Sequence, residues 1–216
     1  MISHVHRCIF IHVPKVGGTS IEEYLRMHAA ALGPWPEPGL DRMMRRKSLA
    51  EMLNRHPDYF AFAFVRHPFD RLVSAWLHGL RENAPSYFER PTRDLTLGEY
   101  VRIAVDRRVA EQSEFDRYHL LPQVSFIPDA SRRTLFGVAL DPRVTCGFVG
   151  RYERLEDDFR MVCQRLGIPA VGLPWLRQAP REAGRRWPHW SERFDAETRR
   201  LATQLYQADF EAFGYE

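Results

Sequence analysis

Lys15 and Lys47 are the only lysines among 31 basic residues; every other basic residue is arginine. Lys15 stands in the run Pro14-Lys15-Val16-Gly17-Gly18-Thr19-Ser20. A compact ammonium fits between oxygens where a planar guanidinium does not, so lysine here is a choice of shape as well as charge. The paired glycines let several backbone N–H groups converge on one point. The hydroxyls of Thr19 and Ser20 can cap a following helix and offer further donors. Residues of these types at this spacing bind an anion, above all a phosphate. A second set consists of Arg66 and, eight positions on, Ser74. These two supply donors for a second anion. The plainer readings are a glycine-proline turn without a ligand, an arginine paired with Asp70, and a small helix-packing serine.

Elements must hold these groups in place. The apolar run from Cys8 to Val13 reads as a strand and stops at Pro14. Helical spacing of Ile21, Tyr24, Leu25 and His28 predicts a helix over 19–31. Residues 33–39 are loop by composition, and 48–55 read as a short helix capped by Ser48, with Glu51 completing a capping box. Residues 60–65, FAFAFV, are wholly apolar, as in a strand buried on both faces of a parallel sheet. Arg66 ends that strand, and Pro68 suits the first turn of a helix whose apolar face is Leu72, Val73, Trp76, Leu77 and Leu80. Arg66 then lies at a strand's C-terminal edge, where ligands bind in open α/β sheets. Further helices are expected over 95–105 (Thr96 near the cap, Glu99 three residues on), 155–166 and 196–213, the last with Leu201, Leu205, Tyr206 and Phe210 buried. A strand is expected over 144–150. Residues 118–127 read as a short helix or extended piece broken by Pro122, and 174–189 as a long irregular loop. The fold class is α/β, with a central parallel sheet flanked by helices in one domain over 1–216.

Composition narrows the function. A net charge of +3 does not suggest a nucleic-acid partner. No apolar run approaches the roughly 18 residues that span a bilayer, and 1–7 lack a signal-peptide layout, so a cytoplasmic protein without a membrane partner is expected. Cys8, Cys146 and Cys163 are widely spaced among apolar neighbours and read as buried reduced thiols, with no metal-ligand spacing.

The lysine order separates the loop from an ATP-binding P-loop, where lysine follows the last glycine. PKVGGTSIEEYL, preceded by FIH, resembles the 5′-phosphosulfate loop of the sulfotransferase superfamily. FAFVRHPFDRLVSAW resembles that superfamily's 3′-phosphate motif. VTCGFVGRYERLEDDF and QLYQADFEAFGY resemble later blocks of its bacterial and carbohydrate-type members. The resemblance implies a P-loop NTPase-like sulfotransferase fold and a donor, 3′-phosphoadenosine 5′-phosphosulfate (PAPS), with no metal. It implies that Val16, Gly17, Gly18, Thr19 and Ser20 hold the 5′-phosphosulfate, that Lys15 offsets charge on the leaving phosphate, and that Arg66 and Ser74 bind the 3′-phosphate. Tyr152 is either an adenine contact or a core aromatic. Arg185 and Arg186 are assigned, from composition more than from motif, to close over the 3′-phosphate. Trp175, Trp187 and Trp190, with Arg177 and Arg181 beside that pair, stack on a sugar, bind an anionic acceptor, or pin the late loop.

The acceptor hydroxyl, expected on a carbohydrate, needs a general base. Bacterial relatives commonly carry a lysine-histidine pair before a Leu-Ala-Glu-type helix; here Lys47 is followed by Ser48. The candidates left are His119, in YHLLPQ, and His56, with Glu51 and His28 weaker. His12 and His67 lie inside the motifs and are read as shaping the loops. Two rival functions stay open: a non-catalytic protein that binds PAPS or its desulfonated product, and a P-loop kinase.

Overall fold

The apolar runs at Cys8 and Phe60 become neighbouring parallel strands. In the computed structural model, which describes residues 1–28, 44–81, 94–106, 118–129, 131–174 and 189–216, strand β1 is Ile2–Ser3, β2 Cys8–Ile11 and β3 Phe60–Val65. Helix α1 is Gly18–His28, α2 Met44–Arg55, α3 Pro68–Arg81 and α4 Leu97–Val105. Then follow β4 (Thr134–Leu135), β5 (Val138–Ala139), β6 (Phe148–Arg151), α5 (Leu155–Leu166) and α6 (Ala196–Phe213). The chain divides into two compact units, Met1–Val65 with Gln123–Leu176, and Arg66–Pro122 with Arg177–Glu216.

The first unit holds a mixed, mostly parallel sheet of order β1-β2-β3-β6, flanked by helices. Only β1, which pairs antiparallel with β2, departs from the parallel direction. Central β3 is buried along nearly its whole length, as its unbroken apolar run requires. Phe10 and Phe62 are register partners whose rings stack 5.2 Å apart. Because β2 and β3 run parallel and adjacent, the loop after β2 and the end of β3 at Val65 share one edge of the sheet. Expected strand 144–150 is shorter in the fold: only Phe148–Arg151 enter the ladder, with Gly147 N–H reaching Ala61 O, and Val149 is exposed at the edge.

The second unit is helical. Its core gathers Phe69, Leu72 and Val73 of α3, Tyr100 and Val101 of α4, Leu120, and Ala202 and Tyr206 of α6. Helix α4 opens with the capping box expected from Thr96 and Glu99, two residues later than predicted. Helix α6 has its expected bounds, but its buried line is Thr198, Ala202, Tyr206 and Asp209; Leu201, Leu205 and Phe210 pack on the cluster half-buried. It leaves helical geometry at one point, Tyr206, with φ −115° and ψ 18°. Helix α2 starts at Met44, so Ser48 lies inside it rather than at its cap. The run Arg45-Arg46-Lys47 consists of good helix formers and carries the helix upstream.

Candidate functional site

The anion loop is built in the first unit. Strand β2 ends at Ile11, and Lys15 and Gly17 both take left-handed backbone, φ +69° and +82°. Gly17 O then receives both Ser20 N–H (3.0 Å) and Ile21 N–H (3.3 Å), so the helical ladder begins there. The amides of Gly18 and Thr19 come before its first rung, where the helix dipole favours negative charge. Thr19 and Ser20 therefore sit in the first turn of α1 and do not cap it; Gly17 supplies the capping carbonyl. Val16 is fully buried and anchors the loop, whereas Lys15 is half-buried.

Both glycines are close-approach positions. A Cβ on Gly18 would lie 2.5 Å from His12 Nε2, and one on Gly17 would lie 3.0 Å from Leu155 Cδ2 and 3.5 Å from the Tyr152 ring. His12 is held in turn by Glu22, whose carboxylate accepts from Nδ1–H at 2.8 Å. Tyr152, in a 3-10 turn over Tyr152–Arg154, thus stands beside the loop. Asp158 is buried and accepts from Arg151 N–H at 2.7 Å, which fixes the turn carrying Tyr152. Asp158, in the first turn of α5, is thus withdrawn from solvent.

The second motif opens the second unit. Arg66 follows β3 directly, and its Nε donates to Asp70 Oδ2 at 2.6 Å, with 15% and 26% of the two side chains exposed. Asp70, Ser74 and His78 follow at intervals of four along α3, a single row on one helix face. Ser74 is half-buried on that row. His67 is a packing node. Its ring stacks on Trp190 at 4.2 Å and meets Phe210 and Tyr215, and its Nε2 lies 3.0 Å from Glu216 O. Trp190 therefore anchors the chain onto His67.

The two candidate bases have different surroundings. His56 follows α2 and precedes β3, at the far end of the strands from the glycine loop. There it packs against His4 at 5.0 Å and Tyr59 at 4.6 Å, and burial, then His4, lowers its pKa. His119 belongs to the second unit, half-buried, with its ring 5.5 Å from that of His78 on α3. Its backbone carbonyl accepts from Nη1 of Arg71 at 3.0 Å. Arg71 is fully buried, and neither it nor Glu22 stands out in the sequence as a functional residue. The available signal for Arg71 is Pro122, which blocks a helix and leaves upstream carbonyls in need of donors.

Arg185 and Arg186, with Trp175, Trp187, Arg177 and Arg181, lie outside the described residues. Lys47 lies in α2 at a position where only the backbone is described. Among the described residues no group of three or more His, Cys, Asp or Glu side chains is arranged to hold a metal ion, and no helix is long and apolar enough to cross a membrane.

This fold has known counterparts. The chain is 22% identical over 247 residues to carbohydrate sulfotransferase 11 of Mus musculus, covering 100% of this chain and 66% of that protein. It is 25% identical over 184 residues to carbohydrate sulfotransferase 14 of Danio rerio, covering 78% of this chain and 48% of the relative. The chain thus spans from about half to just under two thirds of these relatives' lengths. Among solved structures, a sulfotransferase from Alicyclobacillus acidocaldarius superposes with a TM-score of 0.52 at 16% identity, over 95% of this chain and 92% of that one; it speaks to the fold. The profile of the Sulfotransferase family matches residues 1–216, and the chain belongs to that family.

Proposed function

We propose that this protein moves a sulfuryl group from PAPS to an acceptor hydroxyl on a carbohydrate. The observation that carries the reading is the loop after β2. There, two glycines stand where any Cβ would collide with His12 or crowd Leu155, and the first amides of α1 precede the ladder. Such a cradle fits an anion that approaches backbone closely. Lys15, placed before the glycines, offsets negative charge that develops on the leaving phosphate. Arg66 and Ser74 take the 3′-phosphate, and Tyr152 beside Gly17 lines the nucleotide. His119 serves as the general base, favoured over His56 because it neighbours the α3 row that carries Ser74, whereas His56 stands at the opposite strand end from the loop. PAPS supplies the activated sulfuryl group; these residues orient it and stabilise charge. The carbohydrate acceptor is read from the names of the two relatives.

The test is transfer of labelled sulfate from PAPS across a panel of glycans. Lys15→Ala abolishes turnover, and Arg66→Ala mainly weakens binding of the desulfonated nucleotide. Retention of both activity and affinity in both variants overturns the site. Tight nucleotide binding with no transfer to any acceptor supports instead a non-catalytic binder, the reading that Ser48 after Lys47 favours.

A further inference from the structure

His119 lies in the helical residues 118–120, and the turn into which they run before Pro122 is held by its backbone. His119 O accepts from Arg71 Nη1 at 3.0 Å, Leu120 O from the Tyr206 hydroxyl at 3.1 Å, and Leu121 O from Arg71 Nη2 at 2.6 Å. Three successive carbonyls are thus claimed by two side chains that are themselves fully buried. The guanidinium carbon sits 5.2 Å from the centroid of the Tyr206 ring, so the two donors form one body. The turn needs such donors. Pro122 cannot continue a helix, and Leu120 and Leu121 bring no polar side chain to their own carbonyls. A planar fork can meet two carbonyls at a fixed separation, which a lysine cannot. Tyr206 is also the residue at which α6 leaves helical geometry.

We propose that Arg71 and Tyr206 are positioning residues for the sulfuryl transfer: a buried clamp, contributed by α3 and α6, that fixes the orientation of the His119 imidazole toward the acceptor hydroxyl. The inference rests on the reading of His119 as the base. Arg71 stands three residues before Ser74 on the same helix, so one element both presents the expected 3′-phosphate hydroxyl and sets the base. A merely structural clamp holds the turn without any bearing on which way the imidazole faces.

The test uses the full chain with four variants: Tyr206→Phe, Arg71→Lys, His119→Gln and the Tyr206→Phe/His119→Gln double variant. Tyr206→Phe removes one hydroxyl and keeps the ring, so it reads the clamp even if Arg71→Lys fails to fold. Expected are a loss in kcat of about tenfold for Tyr206→Phe and about a hundredfold for Arg71→Lys. Affinity for the desulfonated nucleotide stays within about twofold. In Tyr206→Phe the His119 imidazole resonance, assigned with His119→Gln, moves, and the pH midpoint of kcat moves with it. In the His119→Gln background the Tyr206→Phe penalty disappears, because both act through one group. The proposal is overturned if that penalty persists in full without His119, or if kcat falls while the resonance stays still. If His119→Gln keeps full turnover while Tyr206→Phe still displaces the resonance, the base assignment falls and the clamp stands as a device for orienting this imidazole.

Discussion

At Gly18 the methyl group of an alanine would enter the space of the His12 ring, 2.5 Å from Nε2, while Glu22 holds the other ring nitrogen, Nδ1. Overpacking of this kind costs about 1–3 kcal/mol, of which about 1.4 corresponds to tenfold in affinity. Gly18→Ala is therefore expected to weaken binding of the desulfonated nucleotide roughly tenfold by calorimetry, and the loss should shrink in a His12→Ala background that opens the space. Equal losses in both backgrounds would place the clash elsewhere. The residues of this loop were legible in sequence because glycine, lysine and hydroxyl types carry their chemistry in their names. The His12–Glu22 pair was only half legible, since a contact ten positions apart depends on how a strand and a helix cross. Arg71 was less legible still. It reads as one more arginine on a helix, and only the folded chain shows it buried against carbonyls almost fifty residues away.

Strong punctuation makes an element's bounds legible in the sequence. Helix α5 stops at Leu166 because Gly167 follows it in left-handed backbone, φ 67° and ψ 31°, with its N–H returned to Cys163 O and Gln164 O. A Cβ there meets nothing within 4 Å, so the demand for glycine comes from the backbone alone. Gly167→Ala is expected to lower stability by roughly 1 kcal/mol, and Gly167→Asn by less, since asparagine visits this conformation more readily. Urea unfolding of the two variants checks the order, and equal midpoints would deny the backbone argument. Weak or misleading punctuation hides an element's bounds from the sequence. Ser48 and Glu51 imitate a capping box inside a helix that begins at Met44. Strands β1, β4 and β5 are two residues each, too short for any period to show. The departure of α6 at Tyr206 has no proline or glycine to announce it.

Across the whole molecule, several buried groups bind their protons more firmly in the fold than in the open chain. Burial raises the thiols of Cys8 and Cys163 from 9.0 to about 11 and that of Cys146 to about 12. Burial likewise pushes the Tyr206 phenol from 10.0 to about 12, against a lowering influence from Arg71. A group whose folded pKa is raised stabilises fully below its unfolded value and loses that contribution as pH climbs to the folded one, since the unfolded chain has by then released its proton. Depressed carboxylates act at the other end. Asp141, held down to about 2 by its hydrogen bonds from Arg143, stabilises above its ordinary 3.8 and loses this as pH falls through the folded value. The melting temperature should therefore be level near neutrality and fall from about pH 9 through 11, with the phenol adding from about pH 10. Replacing Cys8 and Cys146 by alanine lowers stability at neutral pH but flattens the alkaline fall, because the groups whose protons drive it are gone. In step with this, iodoacetamide at pH 8 should label the native protein slowly and the urea-unfolded protein at all three cysteines. An alkaline fall as steep in the double variant as in the parent would show that other groups drive it.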